Sequence, residues 1–305
     1  MTQQKEIIFI EDITVLENHW NETAKLCGND NLFSSYEWLK CWLDVYGTNY
    51  RQFIPCVKEN GVIVAMAPLV IVPRKVLGVT LKVLKFIGDG SADYLDFIVR
   101  NDSDSCMKML ADFIYDHHDK WDYCSFVPIV ESSMTIKFLR EYCLELKMPN
   151  LVSQRTVSPY LMLDFEPEDL PKKVKKGLRY DLKRGEIELD RLGLVEYTEI
   201  TDQQEAISEL RLFFNMLDSR EEVTGRVGSE YENTLRKNIF KDYLENDLMR
   251  ESVNFCRLTI DKLPIAYHFG FEFNQKLLWY KPAFDLRYAR FSVGKILIKK
   301  SIEHA

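Results

Sequence analysis

KLLWYKPAFDLRYARFSVGKILIKKSIEHA (residues 276–305) runs from an apolar strand through a short basic loop into the start of a helix. The strand is predicted to end at Asp285, the loop holds Arg287 and Arg290, and the helix opens near Ser292-Val293-Gly294. The first N–H groups of a helix have no intrahelical partner and carry the positive end of the aligned peptide dipoles. Directly after a strand and among arginines, such a start is suited to an anion, a pyrophosphate in particular. Arg287, Arg290, Ser292, Val293, Gly294 and Lys295 are therefore the candidate phosphate-binding residues, and glycine at 294 allows close approach to the backbone.

Upstream, the second half of the chain reads as strand 194–200, helices 202–218 and 229–247, and a meander of strands 253–260, 265–273 and 276–284. Tight turns are predicted at Asp261-Lys262 and Asn274-Gln275. The first half follows a similar order. Strand 6–10 precedes helices 12–27 and 35–46, the second capped by Ser34-Ser35. Strands 53–57, 62–72, 81–86 and 94–99 follow, then helix 103–118, strand 122–127, helix 132–147 and strands near 151–163. One order in two halves implies two copies of an α/β unit with mixed sheets. The predicted domains are 1–165 and 193–305, joined by a basic helical connector at 166–192.

The bulk numbers narrow the class. A chain of 305 residues that is 46% hydrophobic has enough apolar material for two cores. Net charge −7 argues against a general nucleic-acid binder. Seven scattered cysteines without a C-x-x-C pair suit a reducing compartment. The N-terminus MTQQKEIIFIEDI has no basic segment leading into a long apolar run, and no apolar run nears the ~20 residues of a membrane helix. The expectation is a soluble cytoplasmic protein without a membrane span. The five histidines and the cysteines fall into no zinc spacing, so no metal is expected. Between the halves, residues 172–184 hold seven Lys/Arg against one acid, Asp181. That stretch reads as a solvated helix face, as an arm for a phosphorylated or tRNA-like substrate, or as a membrane-surface segment. Gly177 and Gly185 are expected to weaken or kink it.

Stretches FSSYEWLKCWLDVYG (33–47), VIVAMAPLVI (62–71), FIGDGSADYLDFIV (86–99), KKGLRYDLKRGEIELDRLGLVEY (175–197), LPIAYHFGFEF (263–273) and YKPAFDLRYARFSVGKILIKKSIE (280–303) together resemble the GNAT superfamily. The closest resemblance is to its two-domain branch of FemAB-like aminoacyltransferases and CelD-type polysaccharide-biosynthesis acetyltransferases. This implies tandem GNAT-like domains, with acetyl-CoA or another acyl-CoA bound mainly by the second. The phosphate loop departs from the family pattern of Gln or Arg, two residues, Gly, one residue, then Gly or Ala: Arg290 to Gly294 offers one glycine, displaced by one place. The resemblance also implies at least one more strand and helix after residue 305, so the second domain reads as truncated at its C-terminus.

The implied chemistry is direct attack of an amine on the thioester, with a base, a backbone oxyanion donor and an acid for the departing thiolate. In strand 265–273, Ile265, Tyr267, Phe269, Phe271 and Phe273 share one face, and His268, Gly270 and Glu272 the other. The first set is predicted core. On the second, His268 and Glu272 are candidate bases, with a hydrogen-bonded structural histidine and a solvated glutamate as the alternatives. Tyr280 is a candidate acid. The loop GDGSADYLDF nominates Asp93, Tyr94 and Asp96 for the acceptor, a segment that the resemblance implies faces the interdomain cleft; turn and capping chemistry is the alternative. Arg220, expected to end its helix, is nominated for a phosphate or carboxylate, or for offsetting the helix dipole. The leading expectation is an N-acyltransferase acting on an amino sugar or cell-surface polysaccharide precursor. An aminoacyl-tRNA-dependent transferase and a non-catalytic GNAT-like partner protein are the alternatives.

Overall fold

The computed structural model describes residues 4–100, 104–225 and 228–304. Its contacts divide the chain into two compact units, residues 1–157 and 158–305.

The first unit begins with strand β1 (Lys5–Ile10) and helices α1 (Glu17–Leu26) and α2 (Tyr36–Tyr46), the latter capped by the Ser35 hydroxyl accepting the Trp38 N–H. Strands β2 (Arg51–Glu59), β3 (Val62–Met66), β4 (Leu69–Val76), β5 (Val79–Phe86) and β6 (Ile98–Val99) follow, then helix α3 (Asp104–Asp116), strand β7 (Tyr123–Ser125) and helix α4 (Met134–Glu145). The sheet runs β6-β3-β2-β4-β5-β7, with β1 also pairing β2. All pairs are antiparallel except β5 with β7. The strand expected over 62–72 is two strands, because the chain leaves the ladder at Ala67-Pro68, where proline brings no N–H. The strands expected near 151–163 do not form. Residues 148–164 carry no regular structure and their apolar side chains Leu151 and Tyr160 are exposed, so sequence apolarity had no sheet edge to pair with.

The second unit contains helices α5 (Leu170–Lys173) and α6 (Lys176–Asp190), strand β8 (Val195–Glu199), and helices α7 (Gln203–Thr224), α8 (Glu230–Glu245) and α9 (Asp247–Arg250). Strands β9 (Val253–Ile260), β10 (Leu263–Phe273) and β11 (Lys276–Phe284) and helix α10 (Val293–His304) complete it. The strands form one antiparallel sheet, β11-β10-β9-β8. Both hairpin turns have two successive residues at positive φ, Asp261-Lys262 and Asn274-Gln275, the backbone twist that suits a two-residue hairpin. Asp202 caps α7, a Ser229–Glu232 capping box starts α8, and Gly225 ends α7 in the left-handed region.

Each face of this sheet is covered. On one, Phe213, Phe240 and Tyr243 from α7 and α8 pack against Phe255, Tyr267, Phe269 and Phe271, with Phe240 and Phe269 rings 4.6 Å apart. Each such buried aromatic contributes about 1.5–3 kcal/mol. On the other, Leu182 and Leu189 of α6 and Val293, Ile296 and Leu297 of α10 cover Cys256, Leu258 and Ala266. Ile265 belongs to this second cluster, not to the face of Tyr267 as alternation predicts, because the β9–β10 register shifts between Pro264 and Ala266.

The basic stretch expected as a connector is thus part of the second unit's own core. Its lysines and arginines are exposed while Leu182, Gly185 and Leu189 are buried. The helix α6 runs unbroken through Gly185. This glycine admits the α10 entry: a Cβ there would stand 2.3 Å from the Phe291 carbonyl oxygen and 3.1 Å from Ile296 Cδ1. Gly177, in the same helix, faces open space. Gly185→Ala is therefore expected to destabilise by about 1–3 kcal/mol despite alanine's better helix propensity. Gly177→Ala is expected to be neutral or to stabilise by up to about 1 kcal/mol. Denaturant unfolding of the pair measures both, and equal shifts would refute the packing account.

Candidate functional site

The loop between β11 and α10 is built around Asp285. Its carboxylate accepts the Arg287 backbone N–H at 2.9 Å and the Arg287 guanidinium at 2.5–3.0 Å. The Arg287 hydrogen bonds hold the Asp285 carboxyl below the usual carboxylate range. A 3-10 turn, Leu286–Phe291, then leads to Ser292, a non-glycine residue in the left-handed region at φ 58° and ψ 36°. Such a conformation costs about 1 kcal/mol or more and is held only by its surroundings. The Ser292 carbonyl accepts the N–H groups of Lys295 (2.8 Å) and Ile296 (3.1 Å), which starts α10. The N–H groups of Val293 and Gly294 precede the first intrahelical bond.

Packing gives no reason for glycine at 294. A Cβ there would meet only Phe284, at 3.6 Å, an ordinary contact. The same Phe284 ring carries the Arg220 guanidinium, 5.4 Å from its centroid, and Arg220 Nη1 donates to the Pro282 carbonyl at 3.0 Å. Residues far apart in sequence, Arg220 and Gly294, thus meet across one aromatic ring. Arg220 does not end its helix, as the sequence reading had it; α7 continues to Thr224, so the side chain serves strand β11 rather than the helix terminus. Arg290 is exposed and lies over Phe291, 4.6 Å from the ring centroid. Lys295 pairs with Asp181 of α6 at 3.6 Å.

His268 occupies the centre of β10, with none of its surface exposed. The face it shares with Gly270 is covered, not an open cleft, because α6 and α10 pack on that side of the sheet. Its ring stacks on Trp279 at 3.7 Å and 5°. Nε2 accepts the Tyr280 backbone N–H at 3.1 Å, so the proton of the neutral ring sits on Nδ1. Burial lowers its pKa from 6.5 to about 3, which keeps it uncharged at neutral pH. Glu272, four residues on, is exposed and accepts from Asn254 Nδ2 at 2.7 Å. The Tyr280 ring lies on the opposite face, stacked with Phe240 at 6.0 Å and edge-on to Phe271 at 5.4 Å, with Lys281 over it.

Asp93, Tyr94 and Asp96 lie in the first unit. Asp93 is exposed; Tyr94 packs edge-on against Phe33 at 5.0 Å, and burial raises its hydroxyl pKa. Asp96 lines a cavity of about 240 Å³ with Cys27, Asn29, Arg100, Ser133 and Thr135. Burial pushes its carboxyl pKa up, and hydrogen bonds from Ser133, Thr135 and the Phe97 N–H oppose this. Among the described residues no cluster of three or more His, Cys, Asp or Glu has metal-binding geometry. No helix among them is long and apolar enough to cross a membrane.

Three residues important to this arrangement escaped the sequence reading: Gly270, Trp279 and Phe284. Only Gly270 carried a signal, since an isolated glycine within a strand pattern marks a bulge or a close approach.

Residues 176–305 match the family model of the acetyltransferase (GNAT) domain. The crystal structure of FemX superposes with a TM-score of 0.65 at 12% identity, over 98% of this chain and 85% of that one. A protein of unknown function from Bacteroides thetaiotaomicron gives 0.55 at 12% identity, over 98% and 86%. At these identities the likeness is one of fold. No curated protein matches the chain in sequence.

The buried neutral histidine has a consequence for stability. Its folded pKa lies below its unfolded value, so the unfolded chain binds the extra proton between about 6.5 and about 3. The stabilisation is complete above that window and is lost as pH falls through it. Between pH 6.5 and pH 5 the wild type is expected to lose roughly 1–2 kcal/mol through this residue, a loss absent from His268→Gln. Unfolding free energies of both proteins across this range check it; parallel pH slopes would show that His268 does not titrate on unfolding.

Proposed function

We propose that this chain, which carries a GNAT acetyltransferase domain at 176–305 within a two-domain FemX-like fold, is an N-acyltransferase using acyl-CoA. The proposed acceptor is the amine of an amino sugar or cell-surface polysaccharide precursor, met in the cytoplasm. The observation that carries the reading is the start of α10. There the left-handed Ser292 leads into the helix, and the unencumbered Gly294 and the Arg220 guanidinium both lie beside Phe284. Helix N–H groups and a cation together match the pyrophosphate of coenzyme A. From there the donor would extend along β11, an edge strand among the described residues, where a bulge opens the ladder.

In this reading the acceptor nitrogen attacks the thioester carbonyl, a C–N bond forms, the C–S bond breaks, and coenzyme A leaves as a thiolate that takes a proton. Glu272, exposed at the end of β10, suits the base better than the enclosed His268. Tyr280 remains the candidate acid, and Asp93, Tyr94 and Asp96 the candidates for acceptor recognition.

A second reading, transfer from an aminoacyl-tRNA, has one observation in its favour. Lys172, Lys173, Lys175, Lys176, Arg179, Lys183 and Arg184 are all exposed on α5, α6 and their junction, on a chain of net charge −7.

Calorimetric titration with acetyl-CoA separates the two. The expected dissociation constant lies between about 1 µM and 1 mM. Arg220→Ala is expected to weaken it roughly 10- to 100-fold, the equivalent of a hydrogen bond to a charged group. Gly294→Ala should weaken binding while leaving the thermal midpoint unchanged or raised. Absence of acetyl-CoA binding, with salt-sensitive binding of aminoacyl-tRNA, would overturn the first reading in favour of the second.

A further inference from the structure

We infer that His268 is a positioning residue of this site: its ring anchors the bulge of β11 by accepting the Tyr280 N–H, and it takes no proton from the acceptor. This rests on the reading in which the acyl donor lies along β11.

The register defines the bulge. Phe269 faces Lys281 and Phe271 faces Leu278, so Gly270 alone opposes both Trp279 and Tyr280. Two residues against one turn a backbone group out of the ladder. The Tyr280 N–H is the group so turned, and it finds its acceptor in a side chain, His268 Nε2 at 3.1 Å. Trp279 closes over the same ring at 3.7 Å and 5°. Glycine is required at 270, since a Cβ there would stand 2.2 Å from His268 Cε1, 2.6 Å from Nε2 and 2.5 Å from the Leu278 carbonyl oxygen. Histidine, glycine and tryptophan thus form one device that holds three successive residues of the edge strand in a single path.

Several features separate this role from general-base chemistry. The ring nitrogen that would accept a proton is already engaged by a backbone amide. The other nitrogen carries the proton and is buried without a partner among the described residues. The strand neighbours across from His268 are Cys256 and Pro282, and burial, with the amide on Nε2, keeps the ring neutral. An aliphatic side chain would fill the place; an acceptor is needed there because the bulge withdraws the Tyr280 N–H from the ladder. The path of β11 past Tyr280 fixes where backbone groups stand along the donor, so the anchor acts on the reaction through the strand.

The test begins with the wild-type protein. Long-range proton–nitrogen NMR correlation of the His268 ring is expected to show Nδ1 protonated and Nε2 bare, unchanged across the neutral range. An Nε2-protonated ring, or titration near neutrality, overturns the inference. Amide exchange at Tyr280 then compares His268→Gln, which keeps an acceptor, with His268→Leu, which does not. Exchange in His268→Leu is expected at least about 10-fold faster than in wild type, with His268→Gln close to wild type. Equal exchange in all three overturns it. With acetyl-CoA and an amine acceptor, His268→Leu is expected to raise KM for the donor about 10-fold, keeping the acid limb of the pH profile, with His268→Gln restoring KM. Loss of that limb in both variants would make His268 the base. If acetyl-CoA does not bind at all, the donor reading fails while the NMR and exchange results still judge the anchor. If His268→Leu does not fold, Gly270→Ala, which displaces the ring, takes its place in the exchange comparison.

Discussion

The burial of Phe291, Val293, Ile296 and Leu297 against the sheet and α6 is the contact on which the second unit's site depends. It is an apolar interaction with an electrostatic result. Once that stripe is seated, the first turn of α10 has a single place to stand, beside the end of β11 and over Phe284. The left-handed Ser292 and the 3-10 turn before it are then what the chain must adopt to travel from strand to helix. The strain they carry is supported by the hydrophobic seat, and the missing side chain of Gly185 makes room for it. The positive end of the helix is thereby aimed by packing, to which the Lys295–Asp181 and Lys299–Glu186 pairs between α10 and α6 add.

What could be read from the sequence was what local chemistry determines. The helix starts at Ser35 and Ser229, the polar turn pairs of the meander, and the succession of strand, basic loop and helix at 276–305 all have short-range causes, and all stand in the structure. Long-range effects were hidden. Alternation assigns residues to two faces but does not say what covers each face, so it left His268 between a candidate base and a hydrogen-bonded structural residue, and the helices that close over its side of the sheet could not be read. It also assumes unbroken register, and a shift near Pro264 carried Ile265 to the other cluster. Arg220 could be nominated by type, but its partner was a ring more than sixty positions away, and no spacing rule reaches that far. Residues 151–163 failed for a related reason: a strand needs a neighbour, and apolar composition does not supply one.

The nominated residues also differ in how far their surroundings have already committed them. Arg287 is engaged by Asp285 and Lys295 by Asp181, so each would exchange an existing partner for a phosphate. Arg220 holds one backbone carbonyl and an aromatic face, which leaves further guanidinium donors in hand. Of these three cations, the one with the most uncommitted donors is therefore the one brought in from a different helix, and Arg290 of the loop is likewise held only over the Phe291 ring.

Strand β11 has another consequence. Among the described residues β11 is the outermost strand of its sheet, and such a strand offers a row of amides and carbonyls on its outer side. Here the row is broken twice. The irregularity at Trp279-Tyr280 shifts the repeat, and Pro282 offers no amide at all, with its carbonyl taken by Arg220. Any strand that pairs on this side meets both interruptions within a few residues. The bulge and the proline lie close together, so how far β11 can carry a regular ladder on its outer side is set by one stretch of its own backbone.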